Sequence, residues 1–584
     1  MEQIEPVIIC YSAKGKVLAG KIARKFDAQL LCSPSKQMVQ QAFSEGTPII
    51  GICATGILIR ILAPLLNDKF NEAPVIVISS DGENIVPLLG AHHGANELAQ
   101  ELADILLAKI IKTSASDRRF TRSLDEPPRG YVLADANLAK NAMKKVLAGE
   151  KVLLNGEADW LSEAGYELNV QGEVEITISE EIANKNTLTY HPKTLIIGVG
   201  AERNAPTNEL IGLVENTLKT HNLSPLSIAA IASIDVKADE KAINELATHF
   251  NVPLRLFTAD SLAREQVPNP SKIVKAEVGT SSVAEASAIK AGELIVEKQK
   301  SKRTTCAIGK AALPIDIENF GVARGILHIV GIGPGEHEQR TISAIGALKN
   351  SSDWVAYGFY LDLIADLKRA QTEHRFPLGD EEKRVRHALE LAAKGKEVAL
   401  ICSGDGQIYA MASLVFELLD ASGKRAISKN AKRVEIISHA GISALQMASN
   451  RVGAILGHDF CAISLSDLLT PKKNIIERLE GAAKADFVTA FYNPRSKTRT
   501  DLLDRAKEIF LEHRPPTTPV IIARSLGRKD EAIKIVELKD FNPCEVDMMS
   551  IVLFGSTNSK SFMRGDGRAV AYTPRGYAGK VETE

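Results

Sequence analysis

Residues 398–406 read VALICSGDG, and this stretch shows the pattern on which the fold of the whole chain depends. The apolar run from Val398 to Cys402 has the length and composition of a buried strand. A polar, glycine-containing turn follows at once, and residues with helical spacing come after it. A strand, a glycine turn and a helix in this order form the repeating unit of parallel α/β proteins. The stretch therefore predicts an α/β fold.

The same unit recurs on both sides of this stretch. The first strands are followed by helical patterns at Gly15–Phe26, Ile57–Leu66 and Gly94–Ile110. The predicted strands are Val7–Tyr11, Pro48–Cys53, Val75–Ser79, Thr194–Val199, Ser227–Ile234, Pro253–Thr258, Ile326–Gly331, Val355–Tyr357, Val398–Cys402, Val434–Ile437, Phe487–Phe491, Val520–Arg524 and Ile551–Phe554. The strands from Ile326 onward are numerous enough to predict two α/β subdomains in that half.

Changes in pattern divide the chain into domains. A weaker pattern with the turn Pro127–Gly130 predicts a middle, more β-rich domain, and the charge run 297–303 predicts a solvated helix end that passes into a linker. We predict an α/β domain at 1–111, the middle domain at 112–190, a further α/β domain at 191–300, a linker at 301–324, a two-subdomain α/β unit at 325–560 and a poorly ordered tail at 561–584.

Composition excludes several classes of function. The 584 residues carry 71 Lys and Arg against 72 Asp and Glu, so no global field favours nucleic acid or an anionic membrane as a partner. No apolar run approaches the ~20 residues of a membrane span, and Met1–Pro6 lacks the pattern of a signal peptide. The seven cysteines are scattered without a CxxC pair, which argues against a zinc site or a disulfide framework. We therefore expect a cytoplasmic protein without a bound metal.

Polar, glycine-rich turns follow four of the predicted strands, at the position where open α/β sheets bind ligands. These turns are Gly331–Gly335 (GIGPG), Ser403–Gly406, Ser438–Ala444 and Phe491–Pro494. GIGPG does not fit the dinucleotide fingerprint, because Pro334 interrupts it and the following glutamates would repel a pyrophosphate. A P-loop would also need Lys followed by Ser or Thr. A nucleotide-dependent binding module built on GIGPG stays the alternative from another functional class.

Five motifs after residue 325 resemble, in order and spacing, the precorrin-3B C-17 methyltransferases of cobalamin biosynthesis. They are GIGPG (331–335), SGDGQIYAMA (403–412), HAGISA (439–444), FYNPRSKTR (491–499) and VDMMSIVLFGS (546–556). These enzymes are class III, tetrapyrrole-type methyltransferases that use S-adenosylmethionine, and the resemblance implies a homodimer formed through this domain. One departure is visible, since the usual Ser-Gly-Asp-Pro-Gly reads Ser403-Gly404-Asp405-Gly406-Gln407.

The resemblance also implies roles for individual residues. The macrocycle, an acidic tetrapyrrole with or without cobalt, would face Gly333, Pro334 and Gly335. Arg495, with Lys497 and Arg499, would hold its carboxylates, although a solvated helix start explains these three cations equally well. The residues that would hold S-adenosylmethionine are Gly404, Asp405, Ile408, Tyr409, Tyr492, Asn493, Met549 and Ser550.

The first half resembles another enzyme of the same pathway, cobalt-precorrin-5A hydrolase. The motifs that match its N-terminal domain are GICATGILIR (51–60) and PLLGAHHGANE (87–97), and those that match its C-terminal domain are GVGAER (198–203), ASIDVKADE (232–240) and GTSSVAEA (279–286). The turn at His92-His93-Gly94 is one glycine shorter than in many members of that family. The chain is thus predicted to be a multidomain α/β protein, with several small parallel units followed by a two-subdomain class III methyltransferase.

The reaction implied for the first half opens a δ-lactone on the macrocycle and releases acetaldehyde. It needs a base for water, a proton donor and cations for carboxylates. His92 or His93 is the candidate base and Lys237 with Glu240 the candidate proton-transfer pair, although a surface ion pair is the alternative at that spacing. Arg60 and Arg203 are the candidate carboxylate clamps. For Ser282 and Glu285 a capping box competes with catalysis, and a half that only binds or hands over intermediates is the alternative for the whole region.

Overall fold

The structure is a computed structural model that describes residues 6–26, 28–67, 72–111, 119–496 and 499–577. The chain divides into two compact units, residues 1–323 and 324–584. Both units alternate strands with helices around largely parallel sheets, which confirms the predicted α/β class. No helix within the described ranges has both the length and the apolar character that a membrane crossing requires.

The first unit begins with a six-stranded sheet of order β2-β1-β3-β4-β5-β6. Its strands are β1 (Val7–Cys10), β2 (Gln29–Cys32), β3 (Ile49–Ile52), β4 (Val75–Ile78), β5 (Asn84–Leu89) and β6 (Lys109–Ile110), and its helices are Ala13–Phe26, Lys36–Ser44, Thr55–Leu62 and Ala95–Leu106. Alternate residues of each buried strand face opposite layers: Ile8 and Cys10 pack with Ile22, whereas Val7 and Ile9 pack with another helix layer. This alternation is what a parallel sheet covered on both faces requires.

A four-stranded sheet of order β7-β10-β9-β8 follows. Its strands are β7 (Tyr131–Leu133), β8 (Val152–Asn155), β9 (Val174–Ile178) and β10 (Leu188–Pro192), and its helices are Ala136–Leu147 and Asp159–Glu163. Trp160 and Tyr190 meet edge to face in its core, with ring centroids 5.3 Å apart. This is the region in which we predicted a more β-rich domain.

The third sheet of the first unit, of order β13-β12-β11-β15-β14, corrects the predicted linker. Its strands are β11 (Leu195–Ala201), β12 (Ile228–Ile234), β13 (Leu254–Phe257), β14 (Glu293–Lys300) and β15 (Thr304–Lys310), and its helices are Thr207–Thr220, Lys241–His249, Ala259–Leu262, Lys272–Val278 and Val283–Ile289. Residues 301–324, predicted as a linker, contribute β15, which pairs with β11 inside the sheet. The charge run that suggested a linker belongs to the edge strand β14 and to the turn after it, and charged residues are common on exposed sheet edges.

The second unit opens with a parallel sheet of order β18-β17-β19-β16-β20. Its strands are β16 (Ile326–Gly331), β17 (Asp353–Tyr357), β18 (Thr372–Phe376), β19 (Glu397–Cys402) and β20 (Glu435–His439), and its helices are Ile342–Asn350, Gly358–Leu363, Glu381–Ala392 and Ala412–Asp420. Parallel pairing of β16 with both β19 and β20 brings the ends of these three strands to one edge.

Two further sheets complete the second unit. They have the orders β22-β23-β26-β24-β25 and β21-β28-β27. The strands are β21 (Gly453–Ala454), β22 (Phe460–Ser464), β23 (Val488–Tyr492), β24 (Pro519–Arg524), β25 (Ala532–Glu537), β26 (Ser550–Phe554), β27 (Lys560–Met563) and β28 (Ala569–Tyr572), and the helices are Ala444–Val452, Lys472–Lys484 and Asp501–His513. The predicted tail is therefore wrong for 561–572, because Ala571 of β28 is buried in the core with Leu445 and Ile455. Residues 578–584 lie outside the described residues.

Candidate functional site

The ends of β16, β19 and β20 meet through four glycines, Gly331, Gly333, Gly404 and Gly441. Gly333 and Gly404 exchange backbone hydrogen bonds of 3.1 and 2.8 Å. A Cβ atom on Gly331 would lie 2.7 Å from the carbonyl oxygen of Gly404 and 2.8 Å from the amide nitrogen of Gly441. Gly404 also has a φ of 68°, which side chains disfavour. Glycine is needed at these positions because the three turns touch through their backbones.

Asp405 holds two of these turns together. Its carboxylate accepts hydrogen bonds from the backbone N–H of Gln407 at 2.8 Å and of Gly441 at 3.0 Å, one on each oxygen. Charge-assisted bonds of this kind are stronger than neutral ones. Asp405 thus lies where the sequence placed it, and its carboxylate already braces the turns that would surround a cofactor.

Tyr409, Tyr492 and Asn493 form an aromatic and polar corner where the loop after β19 meets the sheet that contains β22 and β23. The region from residue 444 onward is the second subdomain of this unit, and this corner together with the glycine turns is the candidate cleft. The two tyrosine rings lie 5.1 Å apart, and Tyr409 is 51% exposed. The Tyr409 hydroxyl donates to the carbonyl of Ala462 at 2.8 Å, and the Tyr492 hydroxyl accepts from the N–H of Leu445 at 3.2 Å. These contacts join the loop after β19 to the second subdomain.

Tyr409 and Asn493 both have left-handed backbones, with φ values of 52° and 49°. Such a conformation costs about 1–3 kcal/mol in a residue such as tyrosine, whereas asparagine tolerates it, and strained residues cluster at functional sites. Asn493 is fixed by a 3.0 Å bond from its Nδ2 to Ser464 Oγ. Ile408, predicted for the same site, packs at the border of the neighbouring core. The structure brings these predicted residues together.

The turn before β26 presents Met549 and Ser550. Asp547 accepts from the N–H of Met549 at 2.9 Å and from the Ser550 hydroxyl at 2.8 Å. Burial opposes ionisation of Asp547, but hydrogen bonds from Arg524 and Ser550 outweigh it and lower the pKa of this carboxyl. Met549 remains 44% exposed, so its side chain is accessible to a ligand. Sequence reasoning missed Asp547, although it stands inside the quoted motif VDMMS.

The GIGPG loop is tied to the second subdomain. A Cβ atom on Gly335 would lie 2.6 Å from the carbonyl oxygen of Gly527. Arg451 bridges the two parts, with ion pairs of 2.5 Å to Glu336 and 2.7 Å to Glu531. Gly333 and Pro334 are buried and Gly335 is partly exposed. We expected Gly333–Gly335 to contact the substrate. Gly335 is accessible for such a contact, whereas Gly333 and Pro334 are not.

The predicted carboxylate clamps of the second unit are already engaged within the protein. Arg495 donates to the carbonyl of Thr500 at 3.1 Å and to Asp504 at 3.2 Å. Arg499 donates to Ser466 Oγ at 2.7 Å. Lys497 lies outside the described residues. Arg495 thus stabilises the start of helix Asp501–His513, as the alternative expected, but its side chain is only 17% exposed and so is not solvated. Its role as a carboxylate clamp stays a prediction.

In the first unit a charged group lies at the end of β12. Glu240 is only 1% exposed, and its Oε1 accepts from the N–H of Asn204 at 2.9 Å. Its Oε2 has no hydrogen-bond partner among the described residues and lies 3.5 Å from Arg203 and 3.9 Å from Lys237. Burial and the charge of Arg203 lower the pKa of Lys237. Arg203, Lys237 and Glu240 therefore form one partly desolvated group. The spacing predicted only the pair of Lys237 and Glu240, whereas Arg203 was predicted separately as a carboxylate clamp.

Ser282 and Glu285 do not form a capping box. Within the described structure the Ser282 side chain makes no cap hydrogen bond to helix Val283–Ile289. The fully buried Glu285 accepts instead from Asn269 Nδ2 at 2.8 Å and from the N–H of Lys298 at 3.2 Å. Asn269 and Lys298 were missed, because Lys298 stands in the charge run that had suggested a linker. This network anchors β14 to the helix.

The histidine turn lies between two glycines with left-handed backbones, Gly90 with a φ of 75° and Gly94 with 94°. His93 is exposed, and the side chain of His92 lies outside the described residues. Arg60 is exposed and donates to the carbonyl of Gly56 in its own helix at 2.9 Å. Helix Ala95–Leu106, which follows the turn, is attached to the middle domain by a 3.0 Å hydrogen bond from Asn96 Nδ2 to Glu126. No group of three or more His, Cys, Asp or Glu in the described part of the chain is arranged to hold a metal ion.

Comparison with known families agrees with both resemblances. Residues 326–542 match the Tetrapyrrole (Corrin/Porphyrin) Methylases. Residues 37–117 match Cobalamin synthesis G N-terminal, and residues 195–309 match Cobalamin synthesis G C-terminus. The two families predicted from the motifs are thereby confirmed, each in the half of the chain where the motifs occur.

Individual proteins match the second half. A precorrin-3B C(17)-methyltransferase of Sinorhizobium sp is 38% identical over 258 residues, which cover 44% of this chain and 98% of that protein. A cobalt-factor III methyltransferase of Priestia megaterium is 40% identical over 257 residues, covering 44% of this chain and 46% of that protein, so the chain spans about half the length of this relative. The crystal structure of the methyltransferase CobJ is 39% identical, covering 43% of this chain and 100% of that one, with a TM-score of 0.39. The chain belongs to the tetrapyrrole (corrin/porphyrin) methylase family, with two cobalamin synthesis G domains preceding its methylase domain.

Proposed function

We propose that the second unit methylates C-17 of precorrin-3B, or of its cobalt form, from S-adenosylmethionine, with contraction of the macrocycle. The observation that carries this proposal is the cleft in which Tyr409 and Asn493, both with left-handed backbones, meet the interlocked glycine turns. Met549 and Tyr409 offer exposed apolar and aromatic surface there. These features suit an adenosine and the methylated sulfonium beside it, and the relatives named above support the choice of reaction.

The residues of this cleft act by holding and orienting. When bound, S-adenosylmethionine supplies an electrophilic methyl group. Gly404, Tyr409, Tyr492, Asn493 and the Met549–Ser550 turn would hold it, and Asp405 would keep the turns in place through its two backbone contacts. Alignment of donor and acceptor alone contributes ~7–11 kcal/mol in intramolecular reactions. A rigid, backbone-rich cleft meets that demand without a catalytic side chain at the methyl group.

The first unit is proposed to open the δ-lactone of cobalt-precorrin-5A and release acetaldehyde. The group formed by Arg203, Lys237 and Glu240 supports this step, because it combines a buried carboxylate with a lysine of lowered pKa. Such a pair can accept and return a proton. Arg203 donates to Asp239 at 2.7 Å and to the carbonyl of Val236 at 3.0 Å, and its remaining donors are proposed to bind a carboxylate of the macrocycle. His92 and His93 remain proposed bases and Arg60 a proposed clamp.

The test uses the full chain with metal-free and cobalt-loaded macrocycles and S-adenosylmethionine. Product masses should show one added methyl group, and a separate incubation with the lactone-bearing cobalt intermediate should release acetaldehyde. Methylation without acetaldehyde release would overturn the hydrolase proposal and favour the alternative, in which the first unit only binds or hands over intermediates. Acetaldehyde release without methylation would overturn the proposal for the second unit.

We also propose a cytoplasmic homodimer. All seven cysteines are free thiols, as expected in a reducing compartment. Dimerisation through the second unit is proposed from the family resemblance. Light scattering of the purified chain should give twice its 63.1 kDa mass, and a monomer at micromolar concentration would contradict the dimer.

A further inference from the structure

Arg528 lies in the turn after β24, at the junction of the two loops that line the cleft of the second unit. Its guanidinium carbon lies 4.8 Å from the centroid of the Phe359 ring. On one side, a Cβ atom on Gly335 would lie 3.1 Å from Arg528 Cγ. On the other side, Arg528 Nη1 lies 3.9 Å from the sulfur of Met549. The side chain is thus placed between the loop proposed for the macrocycle and the turn proposed for the methyl donor.

The N–H donors of the Arg528 guanidinium lack strong hydrogen-bond acceptors among the described residues. Its Nε is buried and has no hydrogen-bond partner among the described residues, and the contact of Nη1 is to a thioether, a weak acceptor. The neighbouring carboxylates are engaged elsewhere. Asp530 accepts from Ser525 Oγ at 2.9 Å, and Glu531 accepts from Arg451 at 2.7 Å. A partly buried guanidinium without an anionic partner is unfavourable unless a ligand supplies one.

A second buried arginine adds to the positive charge in this region. Arg384 is 2% exposed, donates to the carbonyl of Pro377 at 2.9 Å, and has an Nε without a partner in the described structure. Burial raises the pKa of Tyr360, while the charges of Arg528 and Arg384 oppose this rise. Both cations therefore act on the same tyrosine. Positive charge that is not compensated inside a cleft attracts an anionic ligand.

We infer that Arg528 binds a side-chain carboxylate of the acidic macrocycle, the role that the sequence analysis gave to Arg495. The inference rests on the proposed methylation of a tetrapyrrole. The guanidinium of Arg528 lies over the Phe359 ring and has no strong acceptor for its Nε or Nη1 in the described structure, so its planar fork can bind a carboxylate through two parallel hydrogen bonds. Arg495 cannot take this role without losing Asp504.

The test compares two variants of the full chain with a matched control. R528M keeps an unbranched side chain on Phe359 and removes every donor, and R528K keeps the charge without the planar fork. K529M removes the charge of the exposed next residue and serves as the control. Two ligands are titrated separately: S-adenosylhomocysteine, and the macrocycle supplied as cobalt-factor III, with the stable octacarboxylate uroporphyrin III as a second probe.

For R528M we expect the dissociation constant of the macrocycle to rise by about 10- to 100-fold, as for the loss of a charge-assisted hydrogen bond. R528K should lose less, K529M should match the parent, and S-adenosylhomocysteine should bind all variants alike. Unchanged macrocycle affinity in a folded R528M would overturn the inference. An equal loss for both ligands would also overturn it, because Arg528 would then support the cleft as a whole. If the parent binds S-adenosylhomocysteine but neither tetrapyrrole, the proposed substrate fails and this inference fails with it.

Discussion

The first unit gathers charged side chains at the end of β12, whereas the second unit gathers backbone groups at the ends of β16, β19 and β20. Both places follow the rule that ligands bind beyond the carboxyl ends of parallel strands. In the first, Arg203, Lys237 and Glu240 lie within 4 Å of one another in pairs that share Glu240. In the second, Gly331, Gly404 and Gly441 touch directly. At the carboxyl ends of their strands, the first unit therefore presents charged side chains and the second presents backbone groups.

This difference matches the two reactions proposed. Opening a lactone moves protons, so it needs groups whose pKa values are shifted by burial and by neighbouring charges. Methyl transfer moves no proton at the sulfonium, so it depends on how firmly donor and acceptor are aligned. Left-handed backbones occur in both sites, at Tyr409 and Asn493 in the second and at Asn204 in the first, so the desolvated Lys237 is the feature that distinguishes the first site.

Replacing Glu240 by Gln tests the charged site and should have the largest effect. Gln keeps an oxygen for the N–H of Asn204 but cannot take up a proton, so acetaldehyde release should fall by about 10²- to 10⁴-fold. Methylation should be unchanged. Glu215→Gln is the matched control, because Glu215 is exposed and pairs with His249. A folded Glu240→Gln protein with the parent rate would exclude Glu240 from proton transfer.

Replacing Gly441 by Ala tests the backbone site. The new methyl group would overlap the carbonyl oxygen of Gly404, so the turns must separate, at a cost of about 3 kcal/mol. Hydrogen exchange should become faster in peptides that contain residues 331–333 and 404–407, and S-adenosylhomocysteine should bind more weakly.

The control for this variant is Gly346→Ala, since a Cβ atom there meets nothing within 4 Å. Alanine is favoured over glycine inside a helix by roughly 0.5–1 kcal/mol, so this change should slightly stabilise helix Ile342–Asn350. Equal exchange in the Gly441 and Gly346 variants would show that the turns do not depend on backbone contact.

The strands and turns near these sites could be predicted where the residues that form them are neighbours in the sequence. The strand before Ser403 and the glycines after it are neighbours in sequence, and the same residues form the turn in the structure. Lys237 and Glu240 are three residues apart in one short turn, so their spacing predicted their contact. Local spacing also located Tyr492 and Asn493 at the end of their strand, Tyr492 as its last residue and Asn493 directly after it.

Other features depended on partners distant in sequence. The edge strand Glu293–Lys300 looks like a solvated run because its partner, Thr304–Lys310, had been assigned to a linker. For Arg495 the sequence left a clamp and a helix start equally open, since its pairing with Asp504 is visible only once helix Asp501–His513 is in place. Arg528 gave no signal at all, because Phe359, on which it stacks, lies far away along the chain.

Replacing Asp405 by Ala separates a brace from a direct ligand of the cofactor. The structure gives its carboxylate two backbone partners, so the change should cost about 1–3 kcal/mol of local stability and weaken S-adenosylhomocysteine as a consequence. Exchange at the amides of Gln407 and Gly441 should accelerate even without ligand. Weaker binding with unchanged exchange would instead make Asp405 a direct ligand, as the sequence resemblance implies.

Replacing Tyr409 by Phe should have the smallest effect and tests whether the two subdomains of the second unit are held together at the cleft. The change removes the 2.8 Å hydrogen bond to the carbonyl of Ala462 and keeps the ring beside Tyr492. Because Tyr409 is half exposed, water can replace the lost donor, and the net cost should be about 0.5–1.5 kcal/mol. S-adenosylhomocysteine should therefore bind roughly 2- to 10-fold more weakly. Tyr572→Phe, a change in β28, should leave binding unaltered. If Tyr409→Phe also binds like the parent, the hydroxyl does not contribute to the alignment of the cleft, and the strained backbone at this position must be explained by the ring alone.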